Sequence, residues 1–112
     1  MSDSADAQIL TVTTTVGTIE AARELSRLLL EQRLAACVQL DAGITSFYRW
    51  EGKLCDEPEV RLVIKTLPAC EAALRELFAR HHPYQLPQFV AVLGEATPAY
   101  AGWVRGEVEP RA

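Results

Sequence analysis

Two adjacent histidines, His81 and His82, are the only imidazoles in the 112 residues and the most obvious metal-seeking side chains. Neighbouring residues on a helix point about 100° apart, so the pair cannot close on one ion as an i, i+4 pair would. One histidine per site is the limit. The competing role is structural: a His at a helix C-terminus, here just ahead of Pro83, interacts with the helix dipole. Cys37, Cys55 and Cys70 are odd in number and widely spaced, with no C-x-x-C, which argues against a disulfide framework and a structural zinc site. Cys70 falls on an apolar helix face and Cys37 sits between Ala36 and Val38. Both read as core, with Cys37 kept as a soft-ligand candidate. There is no G-x-S-x-G, H-E-x-x-H or glycine-rich phosphate loop, so the sequence points to a binding protein and not an enzyme.

The elements that must position these groups follow from hydrophobic periodicity. Ile9–Thr15 alternates and is β-branched, which predicts a strand. Thr18 is the expected N-cap of a helix with Ala21, Ala22, Leu25, Leu28 and Leu29 on one stripe. An extended run from Ala35 to Trp50, a Glu51-Gly52 turn and a second run from Lys53 to Thr66 predict a long hairpin. Asp41-Ala42-Gly43 and Pro58 interrupt it, which fits a bulge or bend. Pro68 opens a second helix with Cys70, Ala73, Leu74, Leu77 and Phe78 at i, i+3, i+4, i+7 and i+8, ended by His81-His82-Pro83. Gln88–Leu93 is the last strand, and Thr97-Pro98 starts a short C-terminal helix. The order is βαββαβ plus a helix, predicting an α+β, ferredoxin-like sandwich with an extended hairpin as one domain over 1–112, residues 1–7 being disordered.

Hairpin length carries a further expectation. A 16-residue arm reaches ~50 Å, whereas a globule of this size is roughly 35 Å across. The outer ribbon bears Phe47, Tyr48, Trp50 and Leu54, and an uncovered two-stranded ribbon of that kind is marginal in water. An identical neighbour is the simplest cover, through a head-to-tail contact that closes into a ring. Trp50, with no core of its own to enter, is the expected anchor. The alternative is a hairpin bent back onto its own core.

The composition, 49% apolar and 23% charged, is that of a folded chain, and a net charge of −4 leaves no basic face for nucleic acid or an anionic membrane. Met1–Gln8 has two Asp and no Lys or Arg, so it lacks the marks of a secretory signal, and the expected address is the cytoplasm.

Five segments taken together resemble the CutA, or divalent-cation tolerance, family: Arg33-Leu34-Ala35-Ala36-Cys37-Val38, Tyr48-Arg49-Trp50-Glu51-Gly52-Lys53, Lys65-Thr66, His82-Pro83-Tyr84 with Pro87, and Tyr100-Ala101-Gly102-Trp103. The resemblance runs from about Leu10 to Val108. It implies an interlocked homotrimer, tolerance of divalent cations, especially copper, and clefts between subunits reminiscent of PII-type signalling proteins. In copper-binding relatives the ligands are a Cys, the His of H-P-Y and a Glu. Only the His carries over, as His82, because Thr14 and Gln88 stand at the other two positions. A hydroxyl and an amide suit copper poorly, so weak metal binding is expected, and no cofactor beyond a divalent cation such as copper is implied. Trp50, Tyr48, Lys65, Glu59 and Tyr84 are the cleft and interface candidates, with Lys65 and Trp50 suited to a small anionic or planar ligand. Two alternatives to metal tolerance stand: a PII-like trimer binding a small ligand between subunits, and a structural trimer that anchors a partner protein.

Overall fold

The computed structural model describes residues 6–110. Strand β1 (Gln8–Val16) leads into helix α1 (Ile19–Glu31). Strands β2 (Cys37–Trp50) and β3 (Lys53–Thr66) form the hairpin, and α2 (Glu71–His81), β4 (Val90–Glu95) and α3 (Pro98–Glu107) complete the chain. The four strands make one antiparallel sheet in the order β2-β3-β1-β4. That order is the split βαβ, ferredoxin-like arrangement read from the sequence.

Local chemistry sets most boundaries. The Thr18 hydroxyl caps α1 by accepting the Ala21 N–H at 3.1 Å. The helix closes on Arg33, in the left-handed region at φ 56°. The Arg33 and Leu34 N–H groups donate back to Leu30 and Leu29, both at 3.0 Å. This is a Schellman closure with Arg in the place glycine usually takes. It turns the chain directly into β2. Pro68 gives a short 3-10 turn through Cys70 before α2 proper starts at Glu71, and Thr97 caps α3 through the Tyr100 N–H. β4 starts at Val90, later than expected, and runs on to Glu95.

Alternate residues of β1 and β3 face the two helices, so Val12, Val16, Leu62 and Ile64 are buried against Ala22, Leu25, Leu29, Leu74 and Phe78. Burying one such aliphatic side chain contributes about 1.5–3 kcal/mol. A second cluster packs Ala101 and Val104 of α3 on Ile9, Ala36 and Cys70. Ala7, within the stretch expected to be disordered, is buried and its carbonyl accepts the Ala96 N–H, while residues 1–5 lie outside the described residues.

The hairpin gives the molecule its shape. Its turn residues Glu51 and Gly52 have φ 51° and 80°, the paired positive values of a tight hairpin turn whose twist suits the flanking strands. Register shifts between Asp41 and Ile44, placing the bulge at Ala42-Gly43. The bulge does not fold the ribbon back: the molecule measures 52 × 23 × 23 Å. Its radius of gyration of 15.0 Å exceeds the ~13 Å of a compact chain this long.

Candidate functional site

His82 ends α2 in an extended conformation, as the residue before a proline must. Its N–H still donates to the Phe78 carbonyl at 3.0 Å, and its ring lies 5.3 Å from those of both Phe78 and Tyr84. The ring's hydrogen bonds fix its tautomer. The Tyr84 N–H donates to Nδ1 at 3.1 Å, so Nδ1 is bare. Nε2 therefore carries the proton and donates it to Thr14 Oγ1 at 2.9 Å. Thr14 is fully buried and His82 is 9% exposed. Burial is the largest influence on the imidazole and lowers its pKa against the opposing pull of a backbone bond at Thr15 and the charge of Glu59. His82 is thus a neutral strut joining the end of α2 to β1.

A cation could reach Nε2 only by displacing the Thr14 bond. Thr14 and Gln88, the two positions that the family resemblance groups with His82, bring a hydroxyl and an amide, which with one imidazole do not make a copper-chelating set. Among the described residues no group of three or more His, Cys, Asp or Glu could hold a metal ion. His81 is exposed and lines a groove of about 510 Å³ in which Glu24, Arg27 and Glu31 of α1 alternate with Ala21, Leu25 and Leu28.

A second cleft, about 430 Å³, lies between the outer part of the hairpin and the loop after α2. Tyr48, Trp50 and Glu59 line it from the hairpin, Thr15 from β1, and Pro83, Tyr84, Gln85, Leu86 and Gln88 from the loop after α2. Residues opposite one another in an antiparallel pair share a face, and faces alternate along a strand. Tyr48 and Trp50 therefore share a face with their partners Cys55 and Lys53, and so with Glu57 and Glu59 further along β3. Phe47 and Leu54 lie on the opposite face, 76% and 78% exposed. The Tyr84 hydroxyl donates to Glu59 Oε2 at 2.6 Å, a short charge-assisted bond. Burial first, then this bond, raises the Tyr84 pKa strongly, so the phenol stays a donor. Tyr48 is also raised, by burial first and then by Cys55, Glu57 and Glu59.

Of the five cleft and interface candidates read from the sequence, four meet here: Trp50, Tyr48, Glu59 and Tyr84. Lys65 does not. It lies on the same strand as Glu59, six residues away, which at ~3.3 Å per residue is ~20 Å, and it pairs with Thr11 and Cys37 instead. Trp50 is 40% exposed, sheltered in part by its own chain. The contribution of Gln85 and Leu86 is not visible in the sequence, because only the path of the loop after Pro83 brings them to the cleft.

Residues 10–107 match the family described as CutA1 divalent ion tolerance protein. The divalent-cation tolerance protein CutA of Thermus thermophilus is 39% identical over 92 residues, covering 81% of this chain and 89% of that protein. The Escherichia coli protein of that name is 38% identical over 88 residues, 78% of this chain and 79% of its own length. The crystal structure of CutA1 from Oryza sativa superposes with a TM-score of 0.89 at 31% identity, covering 96% of this chain and all of that one.

Proposed function

The chain belongs to the CutA1 divalent ion tolerance family, and from that premise we propose that it supports tolerance of divalent cations, copper among them, as a homotrimer. The observation that carries the assembly is the pairing of two exposed apolar patches at opposite edges of the sheet. One is the hairpin face bearing Phe47 and Leu54. The other is β4, with Val90 and Val92 exposed on one face and Leu93 on the other, whose outer edge has no strand beside it among the described residues. Patches this exposed call for cover, and an unpaired edge strand accepts another chain. Because the patches differ, hairpin-to-edge docking is heterologous and a closed ring satisfies every copy; three is the number that resemblance to the family implies.

The role proposed is binding, not catalysis, and metal contact at His82 is weak because it must break the Thr14 bond. The three cysteines are free, which suits the reducing cytoplasm. The test is a host lacking its own copy of the gene, challenged with copper. Expression of this chain should restore growth, and expression of a Leu54→Lys variant, which puts a charge into the hairpin contact, should not. Failure of the native chain to restore growth would overturn the tolerance role.

A second reading is favoured by the 430 Å³ cleft beside Glu59, which suits a small ligand held near a subunit boundary, as in a PII-like signalling trimer.

A further inference from the structure

We propose that the cleft between the hairpin and the loop after α2 binds an organic cation, an ammonium group carried on a small apolar frame. This rests on the reading of the cleft as a ligand site and assigns the charge that site selects. Three aromatic side chains, Tyr48, Trp50 and Tyr84, line it together with the carboxylate of Glu59, and among the described residues the lining contains no Lys or Arg. An ammonium is attracted to the faces of such rings, and Trp is the strongest of them. It gains further from an anion held in place beside them.

Glu59 is prepared for that role. Tyr84 fixes Oε2 at 2.6 Å, while among the described residues no protein donor is recorded for Oε1 and no ion pair reaches this carboxylate. Arg61, the nearest cation along the strand, is engaged by Asp41 at 3.7 Å. An anion would face Glu59 with the two lysines of that face, Lys53, opposite Trp50, and Lys65, each six residues away along β3 and neither lining the cleft. The neutral donors at the rim, Gln85 and Gln88, could orient a ligand but do not offset that charge.

The experiment is titration calorimetry on the full chain with three probes: choline, its uncharged isostere 3,3-dimethylbutanol, and glutarate. Choline should bind at least about tenfold more tightly than the isostere, and glutarate should give no heat of binding. Glu59→Gln, shown by light scattering and circular dichroism to assemble and fold as the native chain does, should lose about tenfold in choline affinity with the isostere unchanged. Tyr84→Phe keeps the ring and the carboxylate but frees Oε2, so it should weaken choline by less than Glu59→Gln does; a larger loss than that of Glu59→Gln would overturn the carboxylate as the cation's partner. Equal binding of choline and the isostere would overturn the charge assignment, as would a folded Glu59→Gln that binds choline normally. Glutarate binding in place of choline would overturn the cation but keep the ligand site. Silence from all three would overturn both, leaving metal tolerance untouched. If Glu59→Gln does not fold, the comparison of the two isosteres on the native chain decides alone.

Discussion

Replacing Phe47 with Ala should dismantle the assembly while leaving the protomer folded. Phe47 is 76% exposed in the single chain, so docking on a neighbour would remove most of its side chain from water. An aromatic of this size offers ~200 Å², of which about three quarters, ~150 Å², remains to be covered. At ~25 cal/mol per Å² that is ~4 kcal/mol, of which truncation to Ala forfeits ~3 kcal/mol per contact, about two orders of magnitude in affinity. Removing one subunit from a ring of three breaks two contacts, so the loss on dissociation is ~6 kcal/mol. The assay is a dilution series followed by light scattering, with far-ultraviolet circular dichroism reporting the helices. Phe47→Ala should fall to monomers at concentrations where the native chain stays assembled, with its helix signal intact. Leu30→Ala provides the control: Leu30 is 45% exposed on α1, away from both patches, and its loss should change dissociation by less than ~0.5 kcal/mol. If Phe47→Ala dissociated at the same concentration as the native chain, hairpin-to-edge docking would be refuted.

Thr14→Val keeps the shape of the side chain but strands the buried Nε2–H of His82, so it should cost about 1–3 kcal/mol in a thermal melt; an unchanged midpoint would show that Thr14 is not the acceptor. Because burial lowers the His82 pKa in the folded chain, the unfolded chain binds the proton more readily: stability should be full above the unfolded value of about 6.5 and fall as the pH drops below it. A His82→Asn variant should lose that part of the dependence, and an identical slope in both proteins would assign the effect elsewhere. Copper should bind the native chain weakly and more weakly still on acidification, whereas Thr14→Cys with Gln88→Glu should tighten it about tenfold or more. Tight, stoichiometric copper binding that survives His82→Ala would place the metal elsewhere.

The sequence is most informative where a local rule decides. Thr18 and Thr97 as caps, Glu51-Gly52 as the turn and the bulge after Asp41 follow from backbone chemistry within a few residues, and each appears where expected. β4 is displaced because the residues before it serve packing and not the ladder: the Phe89 ring meets Phe78 edge-on at 5.1 Å, with the Arg75 guanidinium over it at 4.5 Å. The site was legible in its parts and not in its wiring. His82 and Thr14 are 68 residues apart and Tyr84 and Glu59 are 25 apart, so neither hydrogen bond leaves a mark in spacing. The exclusion of Lys65 could have been found, since it lies ~20 Å from Glu59 along β3 on the side away from the hairpin end that bears Tyr48 and Trp50. Trp50 and Phe47 could have been assigned to opposite faces by the strand alternation alone, once the turn at Glu51-Gly52 had fixed the register.

The most direct measurement is the mass of the purified chain by light scattering in dilute neutral buffer. A hairpin that must be covered by the edge of its neighbour, in a ring of three, requires a single species at three times the 12.4 kDa of the chain. A monodisperse monomer would contradict it, leaving Phe47 and Leu54 in water without a partner and the 52 Å length of the molecule without a reason.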